Sequence, residues 1–219
     1  FYMLGAVIAW FVTTLVPGPA WAAFLVALAV APVAVAALAA LADRLVLQRL
    51  NYDPEATIVA TIGLLYMIQQ AALTFYGPDA RPVAAPFEWR LQLPWFGYSG
   101  YKLFVVAAAA LVLLALWLFM TRTKVGLVMR ATQVDREVAQ AFGINVDLVY
   151  MAVFGIGAAL AAVAAVLIVP IQQAHYLMGH DPLLLSFIVV IIGGLGSLRG
   201  TVVAALVIGL GLFAHQGFS

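Results

Sequence analysis

Cysteine is absent from this 219-residue sequence and charge is scarce: Lys, Arg, Asp and Glu make up 9% of it, against 66% hydrophobic residues. Without Cys there is no disulfide framework, no thiol nucleophile and no Cys-based zinc or iron–sulfur site. Soluble domains carry about 25% charged residues, so a water-soluble fold is excluded. A net charge of +1 supplies no concentrated basic face, and no nucleic-acid partner is expected. Also missing are an initiator Met and a basic leader before the first apolar run, 1–16. The chain is therefore read as a fragment, one membrane domain over 1–219 with segments missing at both ends.

What charge there is clusters. Seventeen of the nineteen charged residues fall in 43–55, 79–102 or 122–147, separated by apolar runs of about 20 residues, the length of a helix that crosses a bilayer. The fold class expected is all-α, a polytopic transmembrane bundle. Runs 1–16 and 20–42 make a hairpin around Pro17-Gly18-Pro19, with Pro32 tolerated as a kink. Further spans cover 56–76, stopped by Gly77-Pro78, then 101–120, then 148–169, closed by Pro170. The Pro-rich stretch 77–100, with Trp89 and Trp95, reads as an extramembrane loop that seeks the interface. Arg44, Arg49, Arg122, Lys124, Arg130 and Arg136 outnumber Arg81, Arg90 and Lys102, which places 43–55 and 121–147 in the cytoplasm and 77–100 and 171–181 outside.

Near the C-terminus, 182–192 gives about 16 Å of helix, half a hydrocarbon core. Gly193, Gly194, Gly196, Ser197 and Gly200 then precede another apolar helix, 201–214. Length favours a helix broken inside the protein over two full spans with a tight turn, and breaks of this kind line transport sites. The glycines do not space as G-x-G-x-x-G and no P-loop Lys follows, so a nucleotide site is rejected. Close helix packing is the plainer use of these glycines and a place on the substrate path the sharper one.

The longest polar interruption, 121–147, looks built to dock another protein. Thr132 with Asp135 resembles a capping box and Gly143 a stop, giving a helix over 132–143. Val134, Val138 and Phe142 recur every four residues on one face, and Gln133, Arg136, Glu137 and Gln140 occupy the other. Such a helix serves as a solvated connector, lies on a membrane or enters a partner's groove. Away from their ends the clear spans hold no Asp, Glu, Lys, Arg or His, so no group for proton or sodium coupling is visible. Thr61, Gln69 and Gln70 are the main polar groups within a span and more often bond neighbouring helices than line a path. Energy for any transport must therefore enter through another subunit. His175, His180 and Asp181 read as mouth residues, too few and too loosely spaced for a metal site. Neither a catalytic constellation nor a cofactor is expected.

Taken in order, several blocks resemble the permease subunit of branched-chain amino-acid ABC importers: 1–6, Asp43-Arg44 to Arg49, Ala60-Thr61-Ile62-Gly63, Gly77-Pro78 with Arg81-Pro82, Thr123-Lys124-Val125-Gly126 through Arg130-Ala131, Phe142-Gly143-Ile144-Asn145 and Gly193-Gly194-Leu195-Gly196-Ser197. Ala165 departs from the family, where Gly is usual. The resemblance implies a multi-pass protein of the bacterial inner membrane, a second homologous permease, two cytoplasmic ATP-binding subunits and a periplasmic solute-binding protein. It also implies that 132–143 is a coupling helix seated in an ATPase groove, with Thr132, Asp135, Arg136, Glu137, Ala139, Phe142 and Gly143 as its working residues. Thr61, Gln69, Gln70, Gly193, Gly194, Gly196 and Ser197 are the candidates for the translocation path. Leucine, isoleucine or valine is the implied cargo, with urea, short amides or aromatic acids carried by relatives. A self-contained facilitator or channel, or a poreless structural subunit, are the rival classes.

Overall fold

The computed structural model describes residues 1–87, 90–93, 96–194 and 196–217, so Trp89, Trp95 and Leu195 lie outside the described residues. Two compact units divide the chain, Phe1–Leu177 and Met178–Ser219.

The first unit is helical. Its hairpin forms as the prolines dictate: α1 (Tyr2–Leu15) ends before Pro17, and α2 (Ala20–Ala42) starts after Pro19 and carries Pro32 within it. The helix does not stop at the first charge. A π-helical turn (Asp43–Leu47) and a 3-10 turn (Gln48–Leu50) extend it into the stretch read as a polar link. Asp53 then caps α3 (Pro54–Tyr76), its carboxylate accepting from the Ala56 N–H at 3.0 Å, with Pro54 at the first position, where its missing N–H costs nothing. A short antiparallel ribbon, β1 (Arg90–Leu93) with β2 (Phe96–Ser99), lies in the Pro-rich loop, and α4 (Gly100–Arg122) follows it. After the polar segment, α7 (Val146–Gln172) closes the unit. Pro170 does not end this helix. A proline loses its own N–H and crowds the carbonyl four residues back, yet here the next turn still closes, with the Gln173 N–H donating to the Val169 carbonyl at 2.9 Å. Termination comes at Gln173, whose φ is 67°.

Ala20–Leu50, Pro54–Tyr76, Gly100–Arg122 and Val146–Gln172 are long and apolar enough to cross a membrane. At ~1.5 Å per residue, a 23-residue helix such as α3 or α4 spans about 34 Å, slightly more than a hydrocarbon core.

The core of the unit is where α1, α2 and α7 meet, and its residues are small. Val35 and Ala39 of α2 pack with Ala158 and Ala162 of α7, rimmed by Phe1, Leu4, Ile8 and Phe154. Gly5 lies so close to α7 that a Cβ there would sit 2.6 Å from the Ala162 Cα. Small residues let backbones approach and multiply dispersion contacts, the main attraction between helices in lipid. By contrast α3 buries only Ala72 and Tyr76, and α4 only Gly100 and Tyr101.

Each end of this unit is tied by its own contacts. At one end, Arg81 pairs with Ala174 through both backbone bonds, and its guanidinium stacks 4.3 Å from the Trp10 ring and 4.7 Å from Tyr76. The Tyr76 hydroxyl donates to the Ala174 carbonyl at 2.9 Å. The stretches read as external thus meet each other, and 43–55 meets 121–147 at the opposite ends of α2, α3 and α7.

The second unit pairs α8 (His180–Gly193) with α9 (Leu198–Gly217). With 14 residues, α8 reaches about 21 Å and falls short of a bilayer core. Gly194 and Gly196 both take φ +87°, a conformation glycine adopts without strain, and Ser197 starts α9 by accepting from the Gly200 N–H at 3.1 Å. A Cβ on Gly193 would fall 2.5 Å from the Thr201 Cα, so close approach of α8 and α9 accounts for this glycine.

Candidate functional site

Thr123 begins the polar segment by breaking α4. Its extended backbone turns the chain, its hydroxyl donates to the Phe119 carbonyl at 2.7 Å, and the same oxygen accepts from the Gly126 N–H at 3.0 Å. That cap starts α5 (Lys124–Val134), folded back so tightly that a Cβ on Gly126 would meet the Met120 carbonyl oxygen at 2.5 Å.

One helix over 132–143 was expected, and two are found. Thr132 lies inside α5, buried, its hydroxyl donating to the Val128 carbonyl at 2.9 Å. It caps nothing. The break falls at Asp135, whose φ of −152° and ψ of 112° leave the helical region. Its N–H still closes α5 onto the Ala131 carbonyl, while its carboxylate accepts from the Val138 N–H at 3.0 Å and so caps α6 (Arg136–Ala141). Asp outranks Thr at this position because its short carboxylate satisfies a free N–H and carries charge favoured by the helix N-terminus. Removing the cap with Asp135→Ala should destabilise α6 by ~1 kcal/mol, read as faster amide exchange over 136–142 with the spans unchanged.

Gly143 ends α6 as expected. At φ +80°, its N–H bonds to the Gln140 carbonyl and the Ile144 N–H to the Ala139 carbonyl, the paired closure of a Schellman motif. Asn145 then caps α7 through the Leu148 N–H at 3.2 Å.

The expected apolar stripe projects outward. Val134 is 87% exposed, Val138 50% and Phe142 82%, while Ala139 turns inward at 4%. An aromatic ring held in the open by a capped helix, on an otherwise polar segment, is a surface awaiting a partner. Glu137 is exposed beside it. Arg136, at the start of α6, reaches back: it pairs with Asp147 at 3.8 Å, and its guanidinium lies 5.6 Å from the Tyr150 ring and 6.0 Å from Tyr52.

Sequence reasoning gave Asp43 no role beyond its place in a block that resembles the family, and did not name Tyr52. Asp43 is fully buried, and its Oδ2 accepts from the Tyr52 hydroxyl at 3.0 Å and from Gln48 Nε2 at 3.2 Å. The Tyr52 ring meets Tyr150 edge-on at 4.7 Å. Burial, then the hydrogen bond to Asp43, pushes the Tyr52 pKa well above its usual value, so the hydroxyl keeps its proton and donates. The available signal was an Asp placed directly after 23 residues of uninterrupted apolar helix.

The proposed path residues fall in both units, Thr61, Gln69 and Gln70 in the first and Gly193, Gly194, Gly196 and Ser197 in the second. Thr61 donates its hydroxyl to the Thr57 and Ile58 carbonyls of its own helix, and Gln70 is exposed. A cleft of about 530 Å³ runs between α1, α2 and α3, lined by Leu4, Leu38, Met67, Ile68 and Phe75 among others, but not by Thr61, Gln69 or Gln70. Its walls suit lipid tails or another helix, not a polar solute.

Comparison with known proteins adds independent findings. The family described as "Branched-chain amino acid transport system / permease component" matches residues 1–212. The high-affinity branched-chain amino acid transport system permease protein LivH of Escherichia coli is 35% identical over 101 residues, 46% of this chain and 33% of that protein. BraD, the corresponding permease protein of Pseudomonas aeruginosa, is 29% identical over 163 residues, covering 70% and 52%. A probable branched-chain amino acid transport permease protein LivH of Methanocaldococcus jannaschii is 28% identical over 120 residues, covering 55% and 38%. In these matches the chain spans about a third to a half of the length of the curated relatives. No solved structure matches.

Proposed function

The chain belongs to the family of branched-chain amino acid transport system permease components, and from that premise we propose that it is the membrane-spanning subunit of an ATP-driven importer of leucine, isoleucine, valine or a related small solute. The observation that carries this reading is α6: capped at both ends, stabilised by its neighbours and presenting Phe142 at 82% exposure. A helix of this kind suits the groove of a cytoplasmic ATP-binding subunit. Asp135, Arg136, Glu137, Ala139, Phe142 and Gly143 make up that contact and its scaffold, and Thr132 anchors α5 beneath it.

The remaining partners follow from the same reading: a second permease of the same family, two ATP-binding subunits and an external solute-binding protein, all at the inner membrane of a bacterial cell, with 1–219 as one membrane domain. Unfilled helix surface supports a second permease, since among the described residues of the first unit α3 buries Ala72 and Tyr76 alone and α4 Gly100 and Tyr101 alone. The chain itself does no chemistry. It alternates access to a path for which Thr61, Gln69 and Gln70 of α3 and, separately, Gly193, Gly194, Gly196 and Ser197 of the second unit are the candidates.

Uptake in sealed vesicles tests the reading. With the binding protein supplied, labelled leucine should accumulate only when the ATP-binding subunits and ATP are present. Accumulation by the permease alone would identify a self-contained facilitator. No uptake in the complete assembly, with leucine, urea, short amides or aromatic acids, would reduce the chain to a structural subunit.

A further inference from the structure

We propose that Asp43, Tyr52 and Arg136 form a relay that passes the position of α6 to the inner end of α2, an inference that rests on the permease reading above.

The relay begins in the irregular end of α2. A π-helical turn takes one residue more than an α-helical turn, and such turns recur at functional sites. Here the turn Asp43–Leu47 brings Gln48, five residues on, to donate to Asp43. Asn51 and Tyr52 then take φ of 51° and 54°, two consecutive left-handed non-glycine residues. Strain of this kind persists only where surrounding structure enforces it. It delivers the Tyr52 hydroxyl to the buried carboxylate at 3.0 Å.

Tyr52 then faces three elements at once. Its hydroxyl also comes within 3.4 Å of the Asp147 carbonyl in the first turn of α7, its ring abuts Tyr150, and the Arg136 guanidinium lies over both rings. Arg136 is the first residue of α6. One side chain therefore joins the end of α2, the start of α7 and the start of α6, and α2 and α7 are the two central helices of the unit.

A simple brace would look different. Asp43 is fully buried, yet its Oδ1 has no partner among the described residues. A buried carboxylate satisfied on one oxygen only is a poor stabiliser, and a well-packed apolar residue would hold the same space better. The two sides of the joint also differ. On the α6 side the Arg136–Asp147 pair is long, with the side chains 40% and 58% exposed, and is weak and readily broken. On the α2 side the two hydrogen bonds are part-buried and end on the fully buried Asp43. Displacement of α6 thus loosens the exposed half and reaches α2 through the phenol and its carboxylate.

The test uses the complete assembly in proteoliposomes, with Tyr52→Phe, Asp43→Asn and the double variant. Tyr52→Phe keeps the ring and removes only the hydroxyl, so it carries the test even if the Asp43 variant folds poorly. We expect ATP-binding subunits to co-purify, and ATP hydrolysis to stay, within about twofold of wild type, while uptake per ATP falls at least tenfold, as for a loss of coupling rather than of assembly. Groups acting in series are non-additive, so the double variant should be no worse than either single one. Unchanged uptake per ATP in Tyr52→Phe overturns the relay. Loss of co-purification in parallel with uptake also overturns it, by showing a brace. Failure of the permease reading looks different: the wild-type chain would itself take up solute without ATP-binding subunits, and the relay would fall with it.

Discussion

Gly126→Val is expected to abolish recoverable folded protein, with Gly126→Ala reducing it severalfold. The reason is local and steric. A Cβ at this position would lie 2.5 Å from the Met120 carbonyl oxygen and 2.7 Å from both the Met120 Cα and the Phe119 carbonyl oxygen. Every one of these atoms is backbone, so no side chain can rotate aside. Relief requires moving the α4–α5 corner, which breaks the Thr123 hydroxyl bridge between Phe119 and Gly126. Overpacking in a yielding core costs about 1–3 kcal/mol, and a clash with fixed backbone lies at or above the top of that range. The yield of monodisperse protein after detergent extraction measures the effect. Gly63→Ala and Gly157→Ala serve as controls, because a Cβ at either meets nothing within 4 Å. Wild-type yield from Gly126→Val would show that the corner is not packed as described.

Phe142→Ala should lower ATP-dependent uptake at least tenfold and release the ATP-binding subunits during purification. Aromatic anchors at the centre of an interface contribute ~2–4 kcal/mol, corresponding to roughly 30-fold to 1000-fold in affinity. Membrane insertion and thermal stability should not change, since the Phe142 side chain is 82% exposed in the isolated chain and Ala keeps its backbone bond to Val138. The two readouts separate the roles: an anchor loses the partner and keeps the fold, whereas a structural residue loses both. Undiminished co-purification of the ATP-binding subunits would remove Phe142 from the interface, and α6 with it. Glu137→Gln is expected to act in the same direction with a smaller effect, because an exposed charge at an interface rim changes association more than affinity.

Spans were legible from the sequence because charge is excluded from lipid, and 43–55, 79–102 and 122–147 stand out as the places where it is allowed. The packing of those spans was not. A helix apolar on every side has no preferred face, so nothing in α3 or α4 announced that they would stay at the periphery while α1, α2 and α7 formed the core. Two boundary readings failed for a common reason. Thr132 and Pro170 were judged by their usual roles, cap and stop, yet each sits within a helix whose hydrogen bonds continue around it. The stop at Gly143 was readable because the positive φ needed there strongly favours glycine. Asp43 was hidden by its surroundings: neighbouring Arg44 and Arg49 made the stretch look like solvated link, and only the fold turns that carboxylate inward.

The small-residue seam between α1, α2 and α7 bears on how variation in this chain should be read. Lipid tails are as apolar as leucine, so no gain in hydropathy draws these helices together. What distinguishes Ala39, Ala158 and Ala162 from the lipid-facing residues around them is volume. An exchange of alanine for leucine there makes the segment more apolar and leaves every span intact by any hydropathy measure, yet it wedges apart the helices on which the unit is built. A shaved side chain such as Val59→Ala, on the exposed surface of α3, would leave the packing of this unit unchanged. Natural sequence drift should accordingly be free in greasiness and narrow in size along this seam, with substitutions confined to Gly, Ala and Ser.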